Sequence, residues 1–511
     1  MSSRDSIQIE NMEFLNYINI DIILGLSLGI VVLLYLYLEW KYRHWKRRGV
    51  PHLKANSLIF GNVKELFFSK DVRKSLYDHI YNYHKGEPVM GYYEFQNPVL
   101  MVRDLDLAKK VLSQNFYSFS NQRFSVSPRV DPYMAMNPFS RTYHDKWKES
   151  RAVLTPGLTQ GKLRSYPQVF LKPYKDLCKF IDESHGEDFE LNDLSNRVAT
   201  DVIASWGWGV EGNAFSKVES SIYNTFKDMS LESYGLDLMV SNKFLSRIMG
   251  YRMFSKTQSE FFTDLTRKCL DASTGSNGPP CLLQISAQAI LKCDEFDTSD
   301  KENFIKEVTA GLCTFFLDGF ATTSMIFSVL LFELMMNINV QSKLREEIKE
   351  LDNNLTIENV EKLEYLGMCL SEVLRMRTPF HYLGRTCTAK CDLGPVQFQP
   401  GDDVIIPVSS IHMDPDYFPN PEQFNPEHWS AENRKRRHPM TSLYFGFGPR
   451  MCLGLNYAKI FLKIIVSSLI NDYEIVPPTN HQYDPITWNR SKAFIQFSDQ
   501  SLYVKFEKLG S

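Results

Sequence analysis

Charge of one sign, a disulfide framework and a dinucleotide loop are all missing from this chain. Fifty-seven Lys and Arg against 60 Asp and Glu leave a formal net charge of -3 over 511 residues. No global field therefore directs it to nucleic acid, and any basic partner surface has to be local. The nine cysteines are scattered and odd in number, which excludes a paired secreted framework and fits reduced thiols facing a cytosol. Cys387 and Cys391 stand close together, but no second Cys/His pair follows at finger-like spacing, which argues against structural zinc. No G-x-G-x-x-G sits in strand–helix context, and no segment repeats.

Proline is absent between Pro280 and Pro379, a stretch of helical spacing and good helix formers. Eight prolines then fall from Pro395 to Pro439, so that region is irregular and turn-rich. After Cys452, Leu455 to Ile470 is helical again, and the tail from Pro477 reads as short strands and turns. Earlier, Glu87 to Val102 reads as a hairpin broken at Gln96-Asn97-Pro98. Asp104 to Gln114 reads as a helix with Leu105, Ala108, Val111 and Leu112 on one face. Ala272 to Pro280 reads as a flexible connection. The balance is a mainly α protein with a minor β region.

Charge is also absent from Ile22 to Leu38, an apolar run bounded by Asp21 and Glu39. Its length suits a short membrane span, and Tyr35, Tyr37 and Trp40 suit the interface. A cleaved signal peptide needs a shorter apolar core with basic residues before it. Here Asp5, Glu10, Glu13 and Asp21 precede the run, with Arg4 alone against them, and Lys41, Arg43, Lys46, Arg47 and Arg48 follow it. The expected organisation is a short luminal segment (1–21), a transmembrane signal anchor (22–38), a basic linker with Gly49-Val50-Pro51 (39–55) and a cytosolic catalytic domain (56–511). No other run reads as long and apolar enough to span.

The most informative stretch is Phe445-Gly446-Phe447-Gly448-Pro449-Arg450-Met451-Cys452-Leu453-Gly454. Two glycines and a proline force a tight turn, and one cysteine sits just before a helix, where the helix dipole, free N–H groups and nearby Arg450 favour a thiolate. From the residues alone, Cys452 is a metal ligand, a nucleophile or a buried structural cysteine. The stretch resembles, position by position, the haem-binding signature F-G-x-G-x-R-x-C-x-G of the cytochrome P-450 family.

The resemblance extends along the chain. Glu372-Val373-Leu374-Arg375 is similar to the family's E-x-x-R helix, and Phe424 to Trp429 resembles its F-x-P-E-R-F segment with His428 in place of arginine. The implied structural network is Glu372–Arg375–His428. Trp147 and Arg151 match a W-x-x-x-R helix. The resemblance implies a haem b whose iron is held by Cys452, with Trp147, Arg151, Arg385, Phe445 and Arg450 around it and the arginines on its propionates.

Phe315 to Ser324, FFLDGFATTS, resembles the family's oxygen-activating helix. Gly319, Thr322 and Thr323 match. Ala321 stands where an acid is usual, and Asp318 stands where a small residue is usual. Asp318 lies four residues before Thr322, hence on the same helix face: either the two form a catalytic pair that delivers protons, or Thr322 bonds back to its own helix carbonyl and Asp318 makes a salt bridge or holds local water.

The resemblance implies a monooxygenase of the microsomal type, like the insect detoxication clan, anchored once in the endoplasmic reticulum membrane. Its electrons would come from NADPH through cytochrome P-450 reductase, with cytochrome b5 as a further donor. Lys146, Lys148 and Arg434 to Arg437 are the candidate docking cations. Ser120 to Phe139, Leu231 to Phe254, Phe315, Phe320 and Thr378 to Leu383 are the expected lining of a pocket for a lipophilic xenobiotic, lipid or hormone. Alternatives are a haem-thiolate isomerase or dehydratase, or a non-catalytic haem protein that binds a ligand.

Overall fold

The computed structural model describes residues 3–69, 73–124, 126–142, 146–216, 220–227, 248–273, 280–294, 296, 298–479 and 501–510, with the backbone alone for 3–21. Helix α1, Ser3–Tyr42, contains an apolar stretch, Ile22–Tyr42, that stands clear of the domain until its end, where Tyr42 packs on Tyr93 with ring centroids 5.1 Å apart. The stretch is long and apolar enough to cross a membrane by length and composition, and the helix begins well before the apolar run.

The segment expected as a linker is docked rather than free. Trp45 is 1% exposed and donates its indole N–H to Tyr92 O at 3.1 Å. Tyr93 Oη donates to Tyr42 O at 2.6 Å, and Arg48 pairs with Asp402 at 2.8 Å. Gly91 has no side chain because the Trp45 ring lies where a Cβ would stand.

The hairpin is present as β1 (Val89–Glu94) and β2 (Asn97–Val102). Its turn is tighter than the proline suggests: Phe95 takes φ 51° and the second strand already begins at Asn97. β3 is Phe189–Glu190, β4 Leu383–Thr386, β5 Cys391–Asp392, β6 Gln397–Phe398, β7 Asp403–Ile406, β8 Tyr473–Val476 and β9 Tyr503–Lys508. One sheet has the order β1-β2-β7-β4, parallel only between β2 and β7; a second runs β3-β9-β8; β5 and β6 pair by themselves. The expected helix after the hairpin runs from Leu105 to Lys109, capped by Asp104 accepting from Leu107 N at 2.7 Å, and widens into a π-turn over Lys110–Gln114.

The helices that position the site are α2 (Trp147–Leu154), α3 (Leu191–Trp208), α4 (Lys301–Met336), α5 (Glu364–Met376) and α6 (Leu455–Asp472). The proline-free interval is helical almost throughout. α4 has 36 residues, about 54 Å at 1.5 Å per residue. By length and mean hydropathy, 1.7, it would pass as a membrane span, contrary to the expectation of a single such run, but most of it is buried inside the domain. Ser328 on α4 donates to Ser195 Oγ of α3 at 2.8 Å, so the two long helices are joined by a polar contact within an apolar interface. Residues 274–279 of the expected flexible connection and 480–500 of the tail lie outside the described residues.

Candidate active site

The cysteine loop is built by backbone constraints. Gly446 and Gly448 take φ 74° and 76°, a region that glycine alone enters freely. A Cβ on Gly448 would also strike Leu112 O. Gly446 N donates to Leu443 O and Cys452 N to Phe445 O, both at 2.8 Å, which closes the loop and presents Cys452 just before α6.

Cys452 opens into a cavity whose empty space, mouth included, is about 1520 Å³. The cavity brings together Trp147, Arg151, Asp318, Gly319, Thr322, Arg385, Phe445, Arg450 and Cys452. Burial pushes the Cys452 thiol up to about 11, against a hydrogen bond from the Gly454 backbone and the attraction of Arg151. Desolvation outweighs them, and a bound cation is what would favour the thiolate.

Among the described residues no carboxylate pairs with any of the three arginines. Burial holds Arg385 down to about 10. Burial, then repulsion from Arg385 and Arg151, holds Arg450 down to about 9. Arg385 Nη1 donates to Gln122 Oε1 at 3.1 Å, while its Nε is buried without a partner. Arg450 lies over the Trp147 ring at 4.3 Å and donates to Ser120 O at 2.6 Å and Arg141 O at 3.0 Å. Arg151 donates to Met451 O at 2.8 Å. Uncompensated buried cations are costly. Three around one thiol fit an anionic planar group such as haem with its propionates.

On α4, Asp318 and Thr322 share the cavity wall, whereas Ala321 is not part of it. Thr322 Oγ1 donates back to the Asp318 carbonyl. Asp318 faces open cavity but is enclosed by protein beyond it, and that desolvation raises its carboxyl to about 7. A Cβ on Gly319 would meet Ile203 and Tyr457 at 3.6 Å, an ordinary contact, so packing does not demand glycine there.

Glu372, Arg375 and His428 do come together. Arg375 clamps Glu372 with Nε and Nη2 at 2.9 and 2.8 Å. His428 reaches Glu372 Oε1 through Nδ1 and Pro419 O through Nε2, both at 2.9 Å. Both ring nitrogens thus have an acceptor within reach. Sequence reasoning missed Trp429, whose indole N–H donates to Glu372 Oε2 at 2.9 Å. It also missed Tyr457, a cavity residue whose buried hydroxyl has no partner. The apolar pattern of α6 gave no sign that a tyrosine there reaches the cavity.

The expected lining is met by Gln122, Pro138, Phe139, Phe315 and Pro379 to Leu383, apart from His381. Phe320 instead packs against Phe316 and Phe226, with ring centroids 5.4 and 5.6 Å away. Residues 231–247 lie outside the described residues. Of the expected docking cations, Arg434, Lys435 and Arg436 are exposed, whereas Arg437 turns inward. It lies over the Phe418 and Trp429 rings at 4.2 and 4.8 Å and donates to His428 O.

The chain is similar to known proteins over most of its length. The family model for cytochrome P450 matches residues 51–498. Cytochrome P450 9e2 of Blattella germanica is 31% identical, with 86% of this chain and 90% of that protein covered. Probable cytochrome P450 6a13 of Drosophila melanogaster is 30% identical over 95% of this chain and 99% of its own. Probable cytochrome P450 28d1 of the same fly is 28% identical, with coverage of 88% and 91%. With a cavity that fits haem, this match and these insect relatives, this chain belongs to the cytochrome P450 family and is a haem-thiolate monooxygenase.

Proposed function

We propose that Cys452 is the axial thiolate of this monooxygenase, that Arg151, Arg385 and Arg450 hold the haem propionates, and that the cavity takes a lipophilic substrate. The observation that carries this is one largely apolar cavity that brings Cys452 together with three arginines, none paired with a carboxylate among the described residues. Bound haem supplies oxygen activation, which the thiolate favours by donating electron density.

The chain's own residues orient, exclude water and handle protons. Phe139, Phe315 and Phe380 line the cavity and keep the substrate side apolar. Trp147 supports Arg450 through its ring face. The Thr322 hydroxyl turns from the Asp318 carbonyl to hold a proton at the cavity surface. The Asp318 carboxyl, on the same helix face, resupplies it where Ala321 leaves the usual acid absent.

Electrons come from NADPH through cytochrome P-450 reductase, with cytochrome b5 as a further donor. Lys146, Lys148 and the exposed Arg434, Lys435 and Arg436 provide the cationic docking groups. α1 spans the endoplasmic reticulum membrane once, with the acidic N-terminal segment luminal and the domain cytosolic. The charge asymmetry around Ile22–Tyr42 supports that orientation.

The test is the absorption spectrum of the reduced, carbon monoxide-bound protein. Wild type is expected to show the red-shifted band of thiolate ligation, and Cys452→Ser is expected to lose it. Retention of that band in Cys452→Ser would overturn the assignment.

A further inference from the structure

The Asp318 carboxylate makes no hydrogen bond or ion pair with any described residue. Its own helix takes only its carbonyl, through Thr322. None of Arg151, Arg385 and Arg450 contributes to its protonation behaviour, which burial alone governs. All four residues border the same space, and among the described residues no ion pair joins Asp318 to any of the three arginines. The wall of that space is otherwise largely apolar, with Phe315, Ile326 and Leu154 among its groups, and Asp318 also acts on the Cys452 thiol across it. A carboxylate facing such a space is relieved by a proton, by ordered water or by a cation on whatever enters. The first two are available to any buried acid. Only the third makes use of a chamber built for a ligand.

We propose that Asp318 is a specificity-determining residue that anchors the ammonium group of a lipophilic amine substrate. The inference rests on reading this cavity as the substrate chamber, and not on Asp318 passing protons to Thr322. An N⁺–H donor gives the carboxylate a charge-assisted hydrogen bond in a dry site, where such bonds are strongest. The rest of the amine meets the aromatic wall. The same charge repels an anionic ligand, so lipophilic carboxylates are disfavoured.

Equilibrium dialysis of the purified haem-loaded protein tests this without turnover. The probes are a tertiary arylalkylamine, its isostere with carbon in place of nitrogen, and the corresponding carboxylate. Wild type is expected to bind the amine ~10- to ~100-fold more tightly than Asp318→Asn does, the range of one charged hydrogen bond. The carbon isostere should change less than ~3-fold, and the carboxylate should bind the variant better. Asp318→Glu should keep the amine preference, and Asp318→Ser serves the comparison if the amide variant does not hold haem. Equal amine affinity in wild type and in a haem-loaded neutral variant would overturn the proposal. So would an equal loss for amine and isostere. A failure of Cys452 ligation would appear in the spectrum rather than in these ratios, so the two readings fail separately.

Discussion

Trp429 donates its indole N–H to Glu372 Oε2 at 2.9 Å while His428, the preceding residue, takes Oε1 at the same distance. Adjacent residues of a short 3₁₀ turn thus approach both oxygens of a carboxylate that Arg375 already clamps, and the backbone N–H of Asn425 adds a fourth donor group at 3.1 Å. Trp429→Phe keeps the ring and removes one charged hydrogen bond. Denaturant unfolding should show a loss of ~1.5–3 kcal/mol. Arg375→Leu leaves a buried charge short of its main partner and should cost ~3–5 kcal/mol.

Acid stability should follow Glu372. Burial alone would raise its carboxyl, but the bonds from Arg375 and His428 outweigh that and bring it down to about 2 from 4.5. A depressed folded value stabilises the protein above pH ~4.5 and is lost as pH falls toward ~2, on the order of 3 kcal/mol in all. Denaturant midpoints measured between pH 5 and pH 2 should fall more steeply for wild type than for Glu372→Gln. Parallel curves would show that the carboxylate is not so stabilised.

Gly448→Ala should fail to give a haem-loaded protein. The new methyl group combines φ 76° with a clash against Leu112 O, and both act on the loop that positions Cys452. The measurement is haem content per purified chain. Gly319→Ala, whose Cβ meets only ordinary contacts, should retain haem in the same preparation.

Arg385→Leu should act with opposite signs on two forms of the protein. Without haem, it removes a buried guanidinium whose Nε has no partner, and unfolding resistance should stay level or rise. With haem, it removes a propionate contact, and haem transfer to an acceptor apoprotein should quicken ~10-fold or more. Faster unfolding of the haem-free variant would contradict the first half.

Asp318→Asn should lower turnover of a neutral substrate and raise peroxide released per NADPH consumed. Unchanged coupling would remove Asp318 from the proton path while leaving its role toward amines to the binding ratios.

What could be read from the chain was whatever depends on local pattern. The Cys452 loop, the Glu372–Arg375 pair at i,i+3 and the α4 segment carrying Asp318 and Thr322 are short motifs, and the helices that hold them follow from apolar spacing. The missing parts depend on residues far apart in sequence. Arg437 matched a solvated basic run until Phe418 and Trp429 supplied its ring faces. Phe320 lies on α4 close to cavity residues, but helix rotation turns it into the Phe226–Phe316 cluster. The high thiol value of Cys452 comes from desolvation by the whole fold, which no neighbouring residue announces.

The clamp of Trp45, Tyr42 and Arg48 onto the sheet and Asp402 makes α1 a handle rather than a tether. Were α1 held in a bilayer as proposed, its tilt would pass to the domain and the cavity mouth would keep one elevation above the lipid. Cutting that clamp, as with Trp45→Ala, would leave the chemistry intact and let the mouth wander. Substrates that arrive dissolved in lipid would lose more than those that arrive through water.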